Sequence, residues 1–390
     1  MALFSQYVGQ ALVNRLQVDA LYTDFSKAFD RVDHNIFLKK IDAMGFNHNL
    51  TLFFDSYLRD RVQYVEVRGH QSYKFHATSG APQGSNLAPL IFSIFINDIC
   101  KNISSNVLLF ADDLKIFKIV RCMDDCLALQ EDLTLVERWC VVNNLPLNIG
   151  KCFSAKFSNR LTIIDYDYVL GNSAISKCET FKDLGVMYDT KLSFAAHIDM
   201  ACDRAIKMLG FIIRNAKEFS SIQALKALYI SYVRSRLEYG AVIFNPVYGR
   251  YTDQLENVQR KFLKFLCFKT DGRYPERGTE QNLLLQRFQL PALINRRNFL
   301  ALQFLCKICT SFIDCPDLLM QVQFHVPLRA TRSPPTFYLV TSNTNFLHKT
   351  PIYRAMNLFN ESCGDIDIYG LSPAQLSRRL RTKSLTLTYT

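Results

Sequence analysis

Three aspartates lie at the ends of apolar segments in the first third of the chain. Asp24 ends one such segment, and Asp112 and Asp113 lie between two others, 107–110 and 114–117. If these segments are neighbouring strands, the carboxylates converge at one edge of a sheet. Carboxylate oxygens suit Mg²⁺, and two such ions can activate an attacking hydroxyl and stabilise a leaving oxyanion in phosphoryl transfer. The alternative for the Asp-Asp pair is ordinary turn chemistry.

A second feature is the segment 80–85, Gly-Ala-Pro-Gln-Gly-Ser. Its two glycines allow the backbone to come close to a ligand, and Gln83 offers both a hydrogen-bond donor and an acceptor beside them. Ser85 or Asn86 can cap a following helix. The alternative is a simple turn from a loop into a helix.

The elements that must position these residues differ between the two halves of the chain. Hydrophobic periodicity predicts a first half that mixes strands and helices. Up to about residue 100 it predicts a strand at 18–24, helices at 33–44 and 50–58, strands at 62–67 and 72–78 around a Gly69-His70 turn, and a further helix. Beyond that it predicts two strands within 107–117, a helix at 126–140, a loop at 141–152 and short strands within 161–188. It predicts an almost purely helical second half, with helices at 195–216, 221–238, 251–268 and 292–312 and an irregular, proline-containing segment at 325–351.

The charge is divided as unevenly as the elements. Residues 1–200 carry 20 Lys and Arg against 22 Asp and Glu, whereas residues 201–390 carry 26 against 13, so the net charge of +11 arises in the second half. A basic half beside a near-neutral half indicates a polyanionic partner, and solubility alone is the alternative. A chain of 390 residues with 49% hydrophobic residues excludes a wholly disordered protein and predicts two or three domains.

The sequence also predicts in which cellular compartment the protein is located. The longest apolar run, 87–96, is shorter than the roughly 18 residues of a membrane span, and no secretory signal follows Met1. Twelve cysteines without regular spacing predict reduced thiols and a location in the cytoplasm or nucleus, neither secreted nor in a membrane. Cys306, Cys309 and Cys315 could bind zinc, but their helical spacing favours buried cysteines.

Three segments, in this order, resemble motifs A, B and C of a reverse transcriptase: 22–30 around Asp24, 81–85, and Phe110-Ala-Asp-Asp113. They are similar in particular to non-LTR (LINE-type) retrotransposon polymerases of the jockey-like group. Further segments resemble motif D (139–151), motif E (183–186) and the thumb-side helices (237–241 and 255–260). The resemblance extends over essentially the whole chain, down to residue 316.

The resemblance implies an α+β fold, a right-hand polymerase palm with an antiparallel sheet and packed helices, followed by a helical thumb. The domains would be a palm with incomplete fingers at 1–190, a thumb-like domain at 191–320 and a C-terminal extension at 321–390. The implied function is RNA-directed DNA polymerisation, with an RNA template, a DNA primer or nicked target DNA, and deoxynucleoside triphosphates as partners.

The resemblance also implies roles for individual residues. Asp24 and Asp112 would hold two Mg²⁺ ions, which Mn²⁺ could replace, with Asp113 nearby. Lys151 would neutralise or protonate the pyrophosphate leaving group, although alone it is an ordinary solvated lysine. The Phe25 backbone would lie near the triphosphate, and the Phe29 ring would lie under the sugar and exclude a 2′-hydroxyl. Gln83 and Gly84 would contact the template and the nascent base pair. The primer grip would be formed by Leu184, Gly185 and Val186.

Without the resemblance, Phe29 could equally be a core residue. One departure from the family concerns the start of the chain, because only 23 residues precede Asp24. A truncated reading frame without the triphosphate-binding fingers and the upstream endonuclease is therefore expected, with weak or no primer extension by this chain. The alternative functions are an inactive remnant that only binds nucleic acid and a two-metal nuclease, and the nuclease lacks the additional carboxylates and histidines expected of it.

Overall fold

The computed structural model describes residues 1–246, 248–326, 335–340 and 346–386. The chain divides into two compact units. The sheet unit is Arg15–Glu179, and the helical unit combines Met1–Asn14 with Thr180–Thr390. The three-part division at residues 190 and 320 stays a prediction.

The strands and helices follow the predicted change from mixed to helical structure. The strands are β1 Gln17–Thr23, β2 Val62–Gln63, β3 Glu66–Val67, β4 His70–Gln71, β5 Phe75–His76, β6 Asn106–Phe110, β7 Asp113–Val120, β8 Phe153–Phe157, β9 Val169–Leu170, β10 Ser173–Ala174, β11 Ser176–Lys177, β12 Thr180–Asp183 and β13 Val186–Asp189. The helices are α1 Ala2–Val13, α2 His34–Ala43, α3 His48–Leu58, α4 Ala88–Ile96, α5 Met123–Val142, α6 Ala195–Asn215, α7 Ile222–Leu228, α8 Ser235–Glu238, α9 Gly249–Asp271, α10 Gln281–Arg287, α11 Leu293–Cys309, α12 Pro316–Leu319, α13 Pro351–Ser362 and α14 Pro373–Thr386.

The sheet unit is built on a five-stranded sheet in the order β11-β8-β1-β7-β6. Strand β1 runs antiparallel to both β7 and β8, and β6 and β7 form a hairpin. Leu21 of β1 and Leu114 and Ile116 of β7 are fully or almost fully buried in one core with residues of α2, α3, α4 and α5. The predicted α+β class is confirmed.

Helix α2 begins as the sequence predicts. The Asp33 carboxylate accepts hydrogen bonds from the backbone N–H groups of Asn35 and Ile36, which have no partner inside the helix. Strand β8 lies outside the predicted elements, although the alternation of Phe153, Ala155 and Phe157 carries a strand signal. The loop predicted at 141–152 ends where β8 begins.

The predicted hairpin at 62–78 is only partly correct. Val67 pairs with His70, so the turn consists of Arg68 and Gly69 and not of Gly69-His70. Both turn residues have positive φ, 51° and 81°, as a type I′ turn requires. Its strands are two residues long and exposed on both faces, so no buried face extends the pairing.

The helical unit contains the β12–β13 hairpin and the predicted helices of the second half. The predicted helix at 221–238 is continuous through a π-helical turn at Tyr229–Arg234, which joins α7 to α8. One core combines α11, α13 and α14, and Cys306 and Cys309 are buried in it, as the buried-cysteine interpretation predicts. Of the irregular segment 325–351, residues 327–334 and 341–345 lie outside the described residues.

Two further features are absent from the described residues. None of the helices there is long and apolar enough to cross a membrane. No group of three or more His, Cys, Asp or Glu side chains in the same ranges is gathered closely enough to hold a metal ion.

His197 makes the stability of the helical unit dependent on pH. Burial, together with the positive charge of Arg297, lowers the pKa of His197 to about 4 from 6.5. Between these values the unfolded chain binds a proton that the folded chain does not, so stability decreases as the pH falls from about 6.5 to 4. We expect the free energy of unfolding to fall by about 2 kcal/mol between pH 7 and pH 5, measured by urea denaturation followed by circular dichroism.

The matched variants for this prediction are His197→Gln and His348→Gln. The first removes the buried imidazole and should flatten the pH dependence, whereas the second removes an exposed histidine of the same unit and should leave it unchanged. An equal slope in His197→Gln and the unmodified chain would contradict the prediction.

Candidate active site

The pairing of β1 with β7 brings the predicted aspartates to the same end of two neighbouring strands. Thr23 pairs with Leu114, and Asp113 pairs with Phe110 across the β6–β7 hairpin. Asp24 directly follows Thr23, and Asp113 directly precedes Leu114, so both aspartates are sequence neighbours of the paired residues Thr23 and Leu114. Asp112 lies in the hairpin turn at this edge of the sheet.

The β6–β7 turn has only two residues, Ala111 and Asp112. Ala111 has a φ of 51°, the positive value that a type II′ turn needs at its first position. Such a conformation costs an L-residue roughly 1–2 kcal/mol, and strain of this kind clusters at functional sites. Asp112 is half-buried, and Asp113 is exposed as the first residue of β7, so only one of the pair occupies the turn.

The Asp24 carboxylate has an oxygen without a hydrogen-bond donor. Its Oδ2 atom is inaccessible to solvent and accepts no hydrogen bond from the described residues. The Lys151 ammonium lies 3.2 Å from this oxygen, as an ion pair without hydrogen-bond geometry. Buried carboxylate oxygens normally accept hydrogen bonds, and an oxygen lacking a donor is suited to a cation.

Lys151 reaches Asp24 because its loop is hydrogen-bonded to the chain beyond β1. The N–H of Asn148 donates to the carbonyl of Asp24 at 2.7 Å, and Phe25 forms an isolated β-bridge with Leu147. The Phe25 ring is buried, whereas the Lys151 side chain is 66% exposed. Two predicted site residues, Asp24 and Lys151, are therefore in contact.

The glycine-containing segment after residue 79 is held against the chain that follows Asp24. Gly80 N–H donates to the carbonyl of Val32 at 2.8 Å, and Ala81 N–H donates to the carbonyl of Phe29 at 2.9 Å. The Gly80 carbonyl in turn lies 3.0 Å from the His34 Nε2 atom and accepts from the Arg61 guanidinium at 2.6 Å.

Gly80 is the position at which only glycine fits. Its φ is +85°, and a Cβ atom there would lie 2.8 Å from the carbonyl oxygen of Asp30 and 2.9 Å from its Cα atom. Both contacts are with backbone, which cannot rotate away. Gly84 also has a positive φ, +80°, but a Cβ atom there would meet nothing within 4 Å.

Gln83 is exposed, and its position is fixed by one hydrogen bond. Its Nε2 atom donates to the Asp30 carboxylate at 2.7 Å. The Ser85 hydroxyl accepts from the N–H of Ala88, the first residue of α4, at 3.0 Å. The N-cap position itself is Leu87, whose side chain makes no capping hydrogen bond, so of the two predicted capping residues Ser85 contacts the helix from two positions further upstream. Asp30, His34 and Arg61 were not among the predicted site residues. Only Asp30, which lies inside the motif around Asp24, carries a sequence signal that could have identified it.

Phe29 lies at the edge of the sheet-unit core. Its ring stacks on Phe92 of α4 with centroids 4.6 Å apart and an interplanar angle of 26°. The ring is half-buried, so it packs like a core residue on one side and remains accessible on the other.

The predicted primer-grip residues form the β12–β13 turn of the helical unit. Leu184 and Gly185 are its two turn residues, with φ values of 44° and 88°, and Val186 is buried. The Tyr239 hydroxyl donates to the Leu184 carbonyl at 2.6 Å, and a Cβ atom on Gly185 would lie 3.1 Å from the Tyr239 ring. Tyr239 thus supports the turn and belongs to the resembling segment 237–241.

Strand-end aspartates at one edge of a mainly antiparallel sheet, in which β11 alone pairs in parallel, are the arrangement that the resemblance to a polymerase palm leads us to expect. The family model described as reverse transcriptase (RNA-dependent DNA polymerase) matches residues 14–213. The chain therefore belongs to the reverse transcriptase family.

Similar proteins include polymerases of insect mobile elements. The chain is 27% identical over 292 residues to a probable RNA-directed DNA polymerase from transposon BS of Drosophila melanogaster, covering 70% of this chain and 31% of that protein. It is 27% identical over 267 residues to the RNA-directed DNA polymerase from mobile element jockey of Drosophila melanogaster, covering 65% of this chain and 29% of that protein. The match spans less than a third of the length of either relative.

Among solved structures, similarity is found to two yeast telomerases. Apo telomerase from Candida tropicalis matches with a TM-score of 0.40 and 11% identity, covering 74% of this chain and 48% of that chain. Telomerase from Candida albicans in complex with a fragment of telomeric RNA matches with a TM-score of 0.35 and 12% identity, covering 76% and 50%.

Proposed function

We propose that this chain carries the nucleotidyl-transfer site of an RNA-directed DNA polymerase of a non-LTR retrotransposon. The reaction would join a deoxynucleotide to a primer 3′-hydroxyl on an RNA template and release pyrophosphate. The β1–β7 register carries the proposal, because it brings Asp24 to the strand end at which the Asp112 turn lies. Membership of the reverse transcriptase family supports the same reaction.

Asp24 and Asp112, with Asp113 nearby, would hold two Mg²⁺ ions, and Mn²⁺ could replace Mg²⁺. Among the described residues these carboxylates do not form a ready-made group of three metal ligands, so the ions would have to draw them together. The Asp24 Oδ2 atom, which accepts no hydrogen bond from the described residues, fits a divalent cation. When bound, the ions supply charge stabilisation at the attacking and leaving oxygens.

The other site residues would position substrate and neutralise charge. Lys151 forms an ion pair with the Asp24 carboxylate and, on the proposal, would turn to the pyrophosphate as charge develops there. The backbone at Phe25 would lie near the triphosphate. Gln83 and Gly84 would contact the template and the nascent base pair, with Asp30 fixing the Gln83 carboxamide.

The partners proposed are an RNA template, a DNA primer or nicked target DNA, and deoxynucleoside triphosphates, in the cytoplasm or nucleus. The turn at Leu184, Gly185 and Val186 would hold the primer end, supported by the Tyr239 hydroxyl. A palm at 1–190, a thumb at 191–320 and an extension at 321–390 remain the proposed division.

Phe29 provides a test of substrate selection. We expect Phe29→Ala to lower the discrimination against ribonucleotides by about 10–100-fold, because a smaller side chain leaves space for a 2′-hydroxyl. The measurement is the ratio of kcat/KM for deoxy- and ribonucleoside triphosphates. If Phe29 is only a core residue, the variant loses stability through the cavity beside Phe92, and the ratio stays constant.

Primer extension tests the proposed function itself. The chain is incubated with a DNA primer annealed to RNA, deoxynucleoside triphosphates, and either Mg²⁺ or a chelator. Mg²⁺-dependent addition of the templated nucleotide, even at the low rate expected of this chain, would support the proposal. Binding of the duplex without any addition, at substrate concentrations well above KM, would favour the alternative of a remnant that only binds nucleic acid.

A further inference from the structure

A small cavity in the helical unit is lined by two basic side chains. Its volume is about 20 Å³, and its lining includes Arg354, Lys349, Asn245, Ser193, Tyr248 and Tyr251. These residues come from three places in the unit: the loop after β13, the residues just before α9 and its first turn, and the residues just before α13 and its first turn. None of them belongs to the proposed polymerase site.

Arg354 has two buried hydrogen-bond donors that lack an acceptor. Its Nη2 atom donates to the Val242 carbonyl at 2.5 Å. Its Nε and Nη1 atoms are inaccessible to solvent and have no hydrogen-bond partner within the described part of the chain. Burying unpaired donors of a charged group is costly, so such a group normally has a counter-ion or a ligand.

The surroundings of Arg354 are polar and positively charged. The Asn245 Oδ1 atom is also buried and lacks a partner among the described residues, and a flipped carboxamide would present its NH₂ group instead. The Lys349 ammonium donates to the Lys191 carbonyl at 3.1 Å, which leaves donors for another acceptor. Burial and the positive charge of Arg297 lower the pKa of Arg354 to about 9, as expected where positive charges are close together.

The nearest carboxylate does not neutralise this cluster. Asp189, whose charge acts on Lys349, accepts hydrogen bonds from the N–H groups of Lys191, Ser193 and Phe194 and from the Ser193 hydroxyl. It is not among the residues lining the cavity.

We propose that this cavity binds the oxygens of one phosphate group from the backbone of a polynucleotide. A volume of about 20 Å³ admits one or two oxygen atoms but no nucleoside, so the rest of the ligand must remain outside. A phosphodiester meets this condition, and Tyr248, which lines the cavity and is also exposed, offers a ring to the adjoining sugar or base. The excess of basic residues after residue 200 favours a polynucleotide over an isolated ion.

Thermal denaturation with inorganic phosphate as the probe tests the site, at an ionic strength matched with chloride. We expect the Tm of the full chain to rise by about 2 °C or more when phosphate exceeds its Kd tenfold. Asn245→Asp places a carboxylate beside Arg354 and should raise the Tm without phosphate while abolishing the phosphate response. Arg354→Gln should abolish the response as well, and Lys261→Gln, which removes an exposed charge of α9, should retain it.

A response of Asn245→Asp equal to that of the unmodified chain would overturn the site, as would the absence of any phosphate response. Binding of a labelled RNA–DNA duplex identifies the source of the phosphate. We expect Asn245→Asp to weaken duplex binding about tenfold relative to Lys261→Gln. Unchanged duplex affinity, with the phosphate response lost, would overturn the polynucleotide assignment in favour of a free phosphate ion. These measurements need no polymerase activity, so they are independent of the proposed function.

Discussion

Replacing Asp112 with asparagine should lower the rate of nucleotide addition by about 10³-fold or more while leaving duplex binding nearly unchanged. The substitution keeps the size of the side chain but removes the negative charge needed to hold a divalent cation. Charge stabilisation by metal ions is worth several kcal/mol in the transition state, and about 4 kcal/mol corresponds to a thousandfold change in rate. The measurement is single-turnover addition of one deoxynucleotide at saturating Mg²⁺.

Asp124→Asn is the matched control for this substitution. Asp124 is an exposed aspartate in the first turn of α5, so the variant has the same change in charge away from the β6–β7 turn. Its rate should stay within about twofold of the unmodified chain, because an isolated surface charge contributes little. Equal rates for Asp112→Asn and Asp124→Asn would remove Asp112 from the catalytic site.

Gly80→Ala should destabilise the sheet unit by about 3 kcal/mol or more and abolish primer extension. The added Cβ atom would meet the Asp30 backbone, and the positive φ of residue 80 costs an alanine a further 1–2 kcal/mol, roughly. Relief of the clash would separate the glycine segment from Val32 and Phe29, which its N–H groups now contact. Trp139, the single tryptophan, lies in the sheet unit and reports its unfolding by fluorescence.

Gly84→Ala separates the steric effect from the backbone effect. Gly84 has nearly the same positive φ but open space around its Cβ position, so its variant should lose only about 1–2 kcal/mol. A similar loss for the two variants would mean that the Asp30 contact does not constrain Gly80.

The elements that the sequence predicted well are those with a strong local signal. Helix α2 has an aspartate cap at Asp33, and the strands beside Asp112 are rich in apolar residues. Strand β8 was missed because it directly follows a polar loop and carries only three apolar residues, Phe153, Ala155 and Phe157, separated by polar ones. Its place next to β1 depends on pairing with residues more than 130 positions away, which no local pattern encodes.

The site was predicted by residue type and order, but its supporting contacts were not. The order of the motifs identified Asp24 and Gln83, whereas the hydrogen bond from Gln83 to Asp30 depends on how two distant segments meet. The contact of Lys151 with Asp24 likewise arises from backbone hydrogen bonds of the intervening loop. The turn strain at Ala111 was also invisible, since alanine is not a residue that signals positive φ.

Counting bound Mn²⁺ by electron paramagnetic resonance tests the central claim most directly, because it requires no turnover. The chain is titrated with Mn²⁺ in the presence of an RNA-templated primer lacking a 3′-hydroxyl and the matching deoxynucleoside triphosphate. We expect two bound ions in the unmodified chain and in Asp124→Asn, and loss of at least one in both Asp24→Asn and Asp112→Asn. The same number and affinity of ions in all four proteins would contradict a metal site formed by Asp24 and Asp112.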